Sequence, residues 1–261
     1  MALSRIVFLM YHELELPERP LCQSEPGYVR YILLAEDFLA QMERVKMAHW
    51  CGVSVTSALR FQDVQSVAIT FDDGCESDLL TAAPILQKLD FGATFYVTAG
   101  FVGRRGYMSP SQLRELSDLG FEIGCHSMSH AYLNDLDDAG LHREIAEAKL
   151  QLEQIIGKPI EHFSCPGGRY NRRVKEVVRE VGYRSMATSL AHANSPSTDR
   201  FELGRIPVMR ESTLNSFEEI YQGDAFWRVT MQNALRNTAK RVLGNSFYDR
   251  LRSFVLDRSS R

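Results

Sequence analysis

The chain has no apolar run near its start long enough to cross a membrane: Ile6-Val-Phe-Leu-Met10 falls far short of the roughly 20 residues a spanning helix needs. Neither a basic leader nor a small-residue cleavage site accompanies that run, so no secretion signal is read and the cytoplasm is the expected location. Cysteine is sparse and odd in number, five residues with no Cys-x-x-Cys spacing, which argues against a disulfide framework. Cys75, Cys125 and Cys165 adjoin segments of chemical interest, and packing is the expected role of each. A surplus of positive charge is missing too. With 30 Lys and Arg against 33 Asp and Glu, the formal net charge is -3, and no global basic field points to nucleic acid. Internal repeats and low-complexity tracts are absent. What remains is a globular chain of 261 residues, 44% hydrophobic, a length at which α/β barrels commonly form one unit.

Short β-rich runs alternate with helical patterns along that length. Strands are expected over residues 6–11, 67–71, 93–97, 121–125, 162–165, 183–188 and 203–208, and helices over 36–48, 77–89, 109–119 and 141–156. Ser109-Pro110 makes a good helix start, while Gly120, Gly157 and Gly182 follow helical patterns as stops. The alternation predicts parallel strands covered by helices. About seven such strands suggest an α/β fold of the distorted (β/α) barrel kind, in which chemistry gathers at the carboxyl ends of strands. Residues 14–34 carry three prolines and little periodicity, and are expected to form an extended loop near the barrel mouth.

The barrel domain is placed at residues 1–213 and a helical extension at 214–261. Beyond Trp227 the extension carries eight Lys and Arg against Asp249 and Asp257. Its amphipathic spacing, with Phe226, Val229, Leu235 and Val242 among the apolar positions, suits packing on the barrel or peripheral contact with an anionic membrane.

The chemistry is concentrated in two short segments. Val67-Ala-Ile-Thr-Phe-Asp-Asp-Gly74 ends a strand in adjacent carboxylates and a turn glycine, so one carboxylate can bind a cation while the other handles a proton. In His126-Ser-Met-Ser-His130 the imidazoles stand four apart, a spacing that lets both converge on one ion. Two neutral imidazoles and one carboxylate are the protein share of a catalytic zinc site, with a position left for water. A plain turn is the alternative for Asp-Asp-Gly, and it leaves the His pair unexplained. Cys165-Pro-Gly-Gly168 lies at another strand end and on its own reads as a turn. Taken alone, His12 reads as a core histidine and His192 as a solvated loop residue.

In order, Met10-Tyr-His12, Thr70-Phe-Asp-Asp-Gly74, His126-Ser-Met-Ser-His130 and Phe163-Ser-Cys-Pro-Gly-Gly168 resemble the polysaccharide deacetylase family, also called carbohydrate esterase family 4 or the NodB-homology domain. Exopolysaccharide-pathway members are the most similar subgroup. The resemblance implies a divalent-metal hydrolase, commonly a zinc enzyme, that removes acetyl groups from an N-acetylated glycan or glycan precursor in surface-polysaccharide metabolism. It implies Asp72 as general base, Asp73, His126 and His130 as metal ligands, and the Gly167 N–H as oxyanion donor. From the exopolysaccharide-type members it further implies His12 as general acid.

Two positions depart from the family pattern. Ser164 stands where an Arg, two residues before the proline, orients the base, and Arg169 is the nearby candidate to replace it. The strand over 203–208 lacks the His that usually serves as acid, and Leu190-Ala-His192 matches that string by letter only. Rival readings are hydrolysis of another non-peptide C–N bond on the same barrel, or a sugar-binding protein without turnover.

Overall fold

A computed structural model describes residues 5–61 and 65–223. Its strands are β1 (Val7–Tyr11), β2 (Cys51–Val53), β3 (Ser66–Asp73), β4 (Thr94–Val97), β5 (Glu122–Cys125), β6 (His162–Ser164), β7 (Ser185–Ala187) and β8 (Ile206–Pro207). Every pairing is parallel, in the order β8-β1-β3-β4-β5-β6-β7, with β2 paired to the start of β3. The expected strand over 203–208 closes the ring by touching both ends of it: Leu203 bridges Ala187 of β7, and Ile206 pairs with Leu9 of β1. Seven strands on one curled path match the expected distorted barrel, and β2 is an addition.

Strand alternation divides the buried residues into two layers. Val7, Leu9 and Tyr11 of β1, with Val67, Ile69 and Phe71 of β3, face the helices in one apolar cluster, while Phe8, Ala68 and Tyr96 belong to a second cluster inside the barrel. The outer layer is stitched by one aromatic per strand at matching register. Tyr11 stacks on Phe71 at 5.2 Å and Phe71 on Phe95 at 5.0 Å between centroids. By the same parity, Thr70 and Asp72 point into the barrel with Ala68.

The helices named here are α1 (Ala35–Met47), α2 (Ala83–Lys88), α3 (Pro110–Asp118), α4 (Ala148–Ile156), α5 (Arg172–Glu180) and α6 (Leu214–Gln222). Ser109 and Gln112 close a capping box at the start of α3, and Gly157 ends α4 at φ 69°. One π-helical turn, Asp78–Ala82, leads into α2, and another, Arg143–Glu147, leads into α4.

The expected loop over 14–34 contains a short parallel pair, Leu14–Glu15 with Leu33–Leu34, and one helical turn, Pro26–Val29. Helix α6 opens the expected extension and packs on the barrel through buried Phe217 and Tyr221, with Glu218 bound to Arg44 of α1 at 2.9 Å. The basic stretch beyond Trp227, including the expected membrane-contacting face, lies outside the described residues.

Candidate active site

Strand alternation alone would send Asp72 and Asp73 to opposite faces of β3. Asp73 instead adopts φ 82°, followed by Gly74 at φ 84°, and this left-handed pair ends the alternation at the mouth of the barrel. Both carboxylates consequently reach His126: its Nε2 lies 3.7 Å from Oδ2 of Asp72 and 3.7 Å from Oδ1 of Asp73. The His loop is bent in the same way, with Ser127 at φ 68° and His130 at φ 62°. Three non-glycine residues in this region within one site represent stored strain, about 1–3 kcal/mol each, which the surroundings must hold.

Glu144, from the π-helical turn before α4, does much of that holding. Its carboxylate accepts the backbone N–H groups of Met128 and Ser129 at 3.0 and 2.8 Å and the Ser129 hydroxyl at 2.5 Å. From the other side, the N–H groups of Ala99 and Gly100 bond the carbonyls of Ser127 and Met128. His126 Nδ1 faces the Ser164 carbonyl at 2.9 Å, an arrangement in which Nδ1–H donates and Nε2 keeps its lone pair. Burial lowers the His126 pKa to about 4, which keeps the ring neutral and suited to a metal.

These donors fit a divalent cation. His130 Nε2 lies 3.6 Å from the Asp73 Oδ1 that His126 also faces, and that oxygen is buried with no hydrogen-bond partner. Separations of 3.6–3.7 Å are too long for hydrogen bonds. They sit close to the roughly 3.4 Å between ligand atoms that bonds of about 2.0–2.2 Å to a tetrahedral ion produce.

The Asp72 side of the site contains a residue that sequence reasoning missed. Arg205, fully buried between the two contacts that close the barrel, forks onto Asp72: Nη1 to Oδ1 at 2.7 Å and Nη2 to Oδ2 at 2.8 Å. Its Nη2 also donates to the Ser164 hydroxyl at 2.7 Å, and its Nε to the Thr188 carbonyl at 3.0 Å. Burial pushes the Asp72 carboxyl up, but Arg205, then His126, outweigh it and hold the group well below the usual carboxylate range. Ser164 thus marks a relocation: the guanidinium arrives from the last strand, and a small hydroxyl accepts it. Arg169, the replacement expected from sequence, lies with its guanidinium 3.7 Å from the Tyr132 ring centroid. The signal for Arg205 was present in the sequence as a lone charge inside an otherwise apolar strand, since Arg is almost never fully buried unless paired.

His12 is half-buried just past the end of β1, its ring tilted against Tyr31 at 4.9 Å between centroids, and its Nδ1 is buried without a hydrogen-bond partner. Burial lowers its pKa, while Asp73 and Asp72 pull the other way. His192 turns its Nδ1 to the Ala193 carbonyl at 3.1 Å. Gly167, at φ 60°, lies inside the Pro166–Gly168 turn, which the N–H groups of Gly168 and Arg169 close onto the Cys165 and Pro166 carbonyls. Gly168 is sterically required as well, because a Cβ there would lie 2.8 Å from the Ser189 backbone nitrogen at φ 66°.

Residues 61–186 match the family model described as polysaccharide deacetylase. Over that segment, about half of its length, the chain is similar to the polysaccharide deacetylase family. Among curated relatives, the peptidoglycan-N-acetylglucosamine deacetylase of Bacillus cereus is 32% identical over 47% of this chain and 56% of its own length. The poly-beta-1,6-N-acetyl-D-glucosamine N-deacetylase of Staphylococcus aureus is 24% identical over 55% of this chain and 54% of its own length. The chain spans about half the length of the curated relatives it matches. Among solved structures, the Streptococcus pyogenes deacetylase PplD, determined in complex with acetate, superposes with a TM-score of 0.75 at 21% identity, covering 84% of this chain and 99% of that one. This last likeness supports the fold. Metal dependence is general in the polysaccharide deacetylase family, and the Asp73, His126 and His130 set agrees with it.

Proposed function

We propose that the protein is a metal-dependent N-deacetylase of amino-sugar glycans, with zinc at Asp73, His126 and His130. The observation that carries this reading is the split fate of two adjacent carboxylates. Asp72 is locked anionic against Arg205, and Asp73 presents an unpartnered oxygen to two imidazoles. When bound, a divalent cation polarises the acetamide carbonyl and acidifies water, which lets so weak a base as Asp72 suffice.

In this reading Asp72 accepts the proton of the attacking water, with Arg205 fixing the orientation of both carboxylate oxygens. The Gly167 N–H donates to the oxygen that gains charge as the carbonyl becomes tetrahedral. His12, whose protonated form Asp73 and Asp72 favour, donates a proton as the imidazolium to the nitrogen as the C–N bond breaks, leaving acetate and a free amine. The sugar-binding rival rests on Ser164 in place of Arg and on the missing last-strand His. Arg205 supplies the guanidinium and answers the first motive, and in this reading His12 answers the second.

A precursor of a surface polysaccharide at the inner face of the cytoplasmic membrane is the substrate setting we favour, in keeping with the basic amphipathic stretch after Trp227. The test is acetate release from N-acetylglucosamine oligosaccharides, β-1,4- and β-1,6-linked, with Zn2+ restored after chelation. Release that chelation stops and Zn2+ restores supports the reading. Intact acetyl groups alongside hydrolysis of a cyclic imide or ureide would move the activity to another C–N bond.

A further inference from the structure

A second set of metal-type donors lies beside the Asp-Asp-Gly turn. Glu13 follows His12 out of β1, Cys75 follows Gly74 out of β3, and Cys22 sits in the segment between β1 and α1. One oxygen of Glu13 and the sulfurs of Cys22 and Cys75 all lie within 4.8 Å of one another. The cluster is held from several sides. Both Glu13 oxygens accept the Cys22 backbone N–H, at 3.0 and 3.1 Å, and Cys22 Sγ donates to the Gly106 carbonyl at 3.0 Å. The Tyr28 hydroxyl lies 3.7 Å from Cys75 Sγ.

Asp78 is the independent sign that a cation belongs here. Its backbone N–H bonds the Cys75 carbonyl at 3.1 Å, which brings it round to the cluster. The side chain is fully buried, and neither carboxylate oxygen has a hydrogen-bond partner. Burying an unpaired carboxylate is costly, and placing it beside another acid and two thiols adds to the cost. A divalent ion offsets all of these groups at once.

We propose that Glu13, Cys22 and Cys75, with Asp78 alongside, form a second divalent-metal site of the zinc type, distinct from the Asp73, His126 and His130 set. Two thiolates select a thiophilic ion over Mg2+ or Ca2+, and binding releases the thiol protons. Glu13 and Cys75 leave the ends of adjacent strands, whereas Cys22 belongs to the segment expected as a mouth loop. The ion therefore staples that loop to the carboxyl end of β3 and steadies Tyr28 and Tyr31 against His12.

The two sites differ in one element: the first has no sulfur ligand. The full chain, stripped with chelator and titrated with Co2+, is expected to develop a near-ultraviolet thiolate-to-cobalt charge-transfer band that saturates at one equivalent. The band is expected to persist in His130→Ala and disappear in Cys22→Ser, and bound zinc to fall from two per chain to one in either variant. Because the band does not depend on turnover, it survives even if no glycan substrate is ever deacetylated. Absence of the band in chelated, reduced wild-type chain would overturn the proposal. So would a Cys22–Cys75 disulfide in the protein as isolated, measured by thiol titration.

Discussion

On the barrel side of the β3 terminus, both oxygens of Asp72 are taken by one guanidinium, which Ser164, Thr188 and Thr70 brace in turn. On the loop side, one residue further along, Asp73 has an oxygen with no hydrogen bond and two imidazole nitrogens drawn up to it at 3.6–3.7 Å. The two carboxylates share the same 2% exposure, so burial does not distinguish them. Neighbouring charge does. The barrel side is electrostatically complete by itself, and in the proposed function the loop side completes around a cation. On that proposal one strand end holds a proton acceptor and a metal ligand next to each other without exchanging their roles.

The largest effect should come from removing the proton acceptor. Asp72→Asn is expected to lower acetate release by roughly 10²–10⁴-fold at saturating metal, measured by coupled acetate assay. Loss of less than tenfold would take Asp72 out of the base role.

Next comes the brace. Arg205→Met leaves Asp72 buried without its counter-charge, and urea unfolding should show a loss of about 3–5 kcal/mol. Arg205→Lys keeps the charge but not the fork and should fall between wild type and the methionine variant. A change below about 1 kcal/mol in Arg205→Met would show that the pair is not what completes the barrel side.

A smaller effect is expected on the loop side from Glu144→Gln, which weakens the hold on the His126 to His130 turn. Metal affinity should drop by roughly 10–100-fold in chelator-competition assays, with turnover recovering at high metal.

The smallest concerns His162, a buried ring away from both carboxylates, bound to Ser185 and Thr56 at 2.8 Å each. Burial lowers its pKa below the usual 6.5, although Glu122 opposes the shift. The unfolded chain therefore binds a proton that the native ring refuses, so stability declines as pH falls from about 6.5 toward the native pKa, by at most about 1.4 kcal/mol per pH unit. His162→Gln should flatten that slope in urea melts of metal-free protein between pH 7.5 and 5.5. An unchanged slope would assign the pH dependence to other groups.

The barrel was legible because parallel strands buried on both faces leave a plain alternation of apolar runs and helical stripes. The candidate metal set was legible because its donors lie in short strings at strand ends. Arg205 showed only as a lone charge in an apolar strand, and its role was not legible, since its bond to Asp72 spans 133 residues and nothing local announces the partner. The same holds for Cys22 and Cys75, which are brought together only by the curl of the loop over β3. Nor could residue types reveal that Asp73 takes a positive φ, the turn that lets neighbouring carboxylates share one imidazole. Local chemistry survives in sequence, and long-range compensation, such as an arginine moved from one strand to another, does not.

The claim that Asp72 and Asp73 divide the work is tested most directly by calorimetric titration of Zn2+ into chelator-stripped Asp72→Asn and Asp73→Asn, each confirmed folded. The account predicts that Asp72→Asn binds as many equivalents as wild type and that Asp73→Asn binds one fewer. Equal losses in the two variants, or a full complement of zinc in Asp73→Asn, would contradict it.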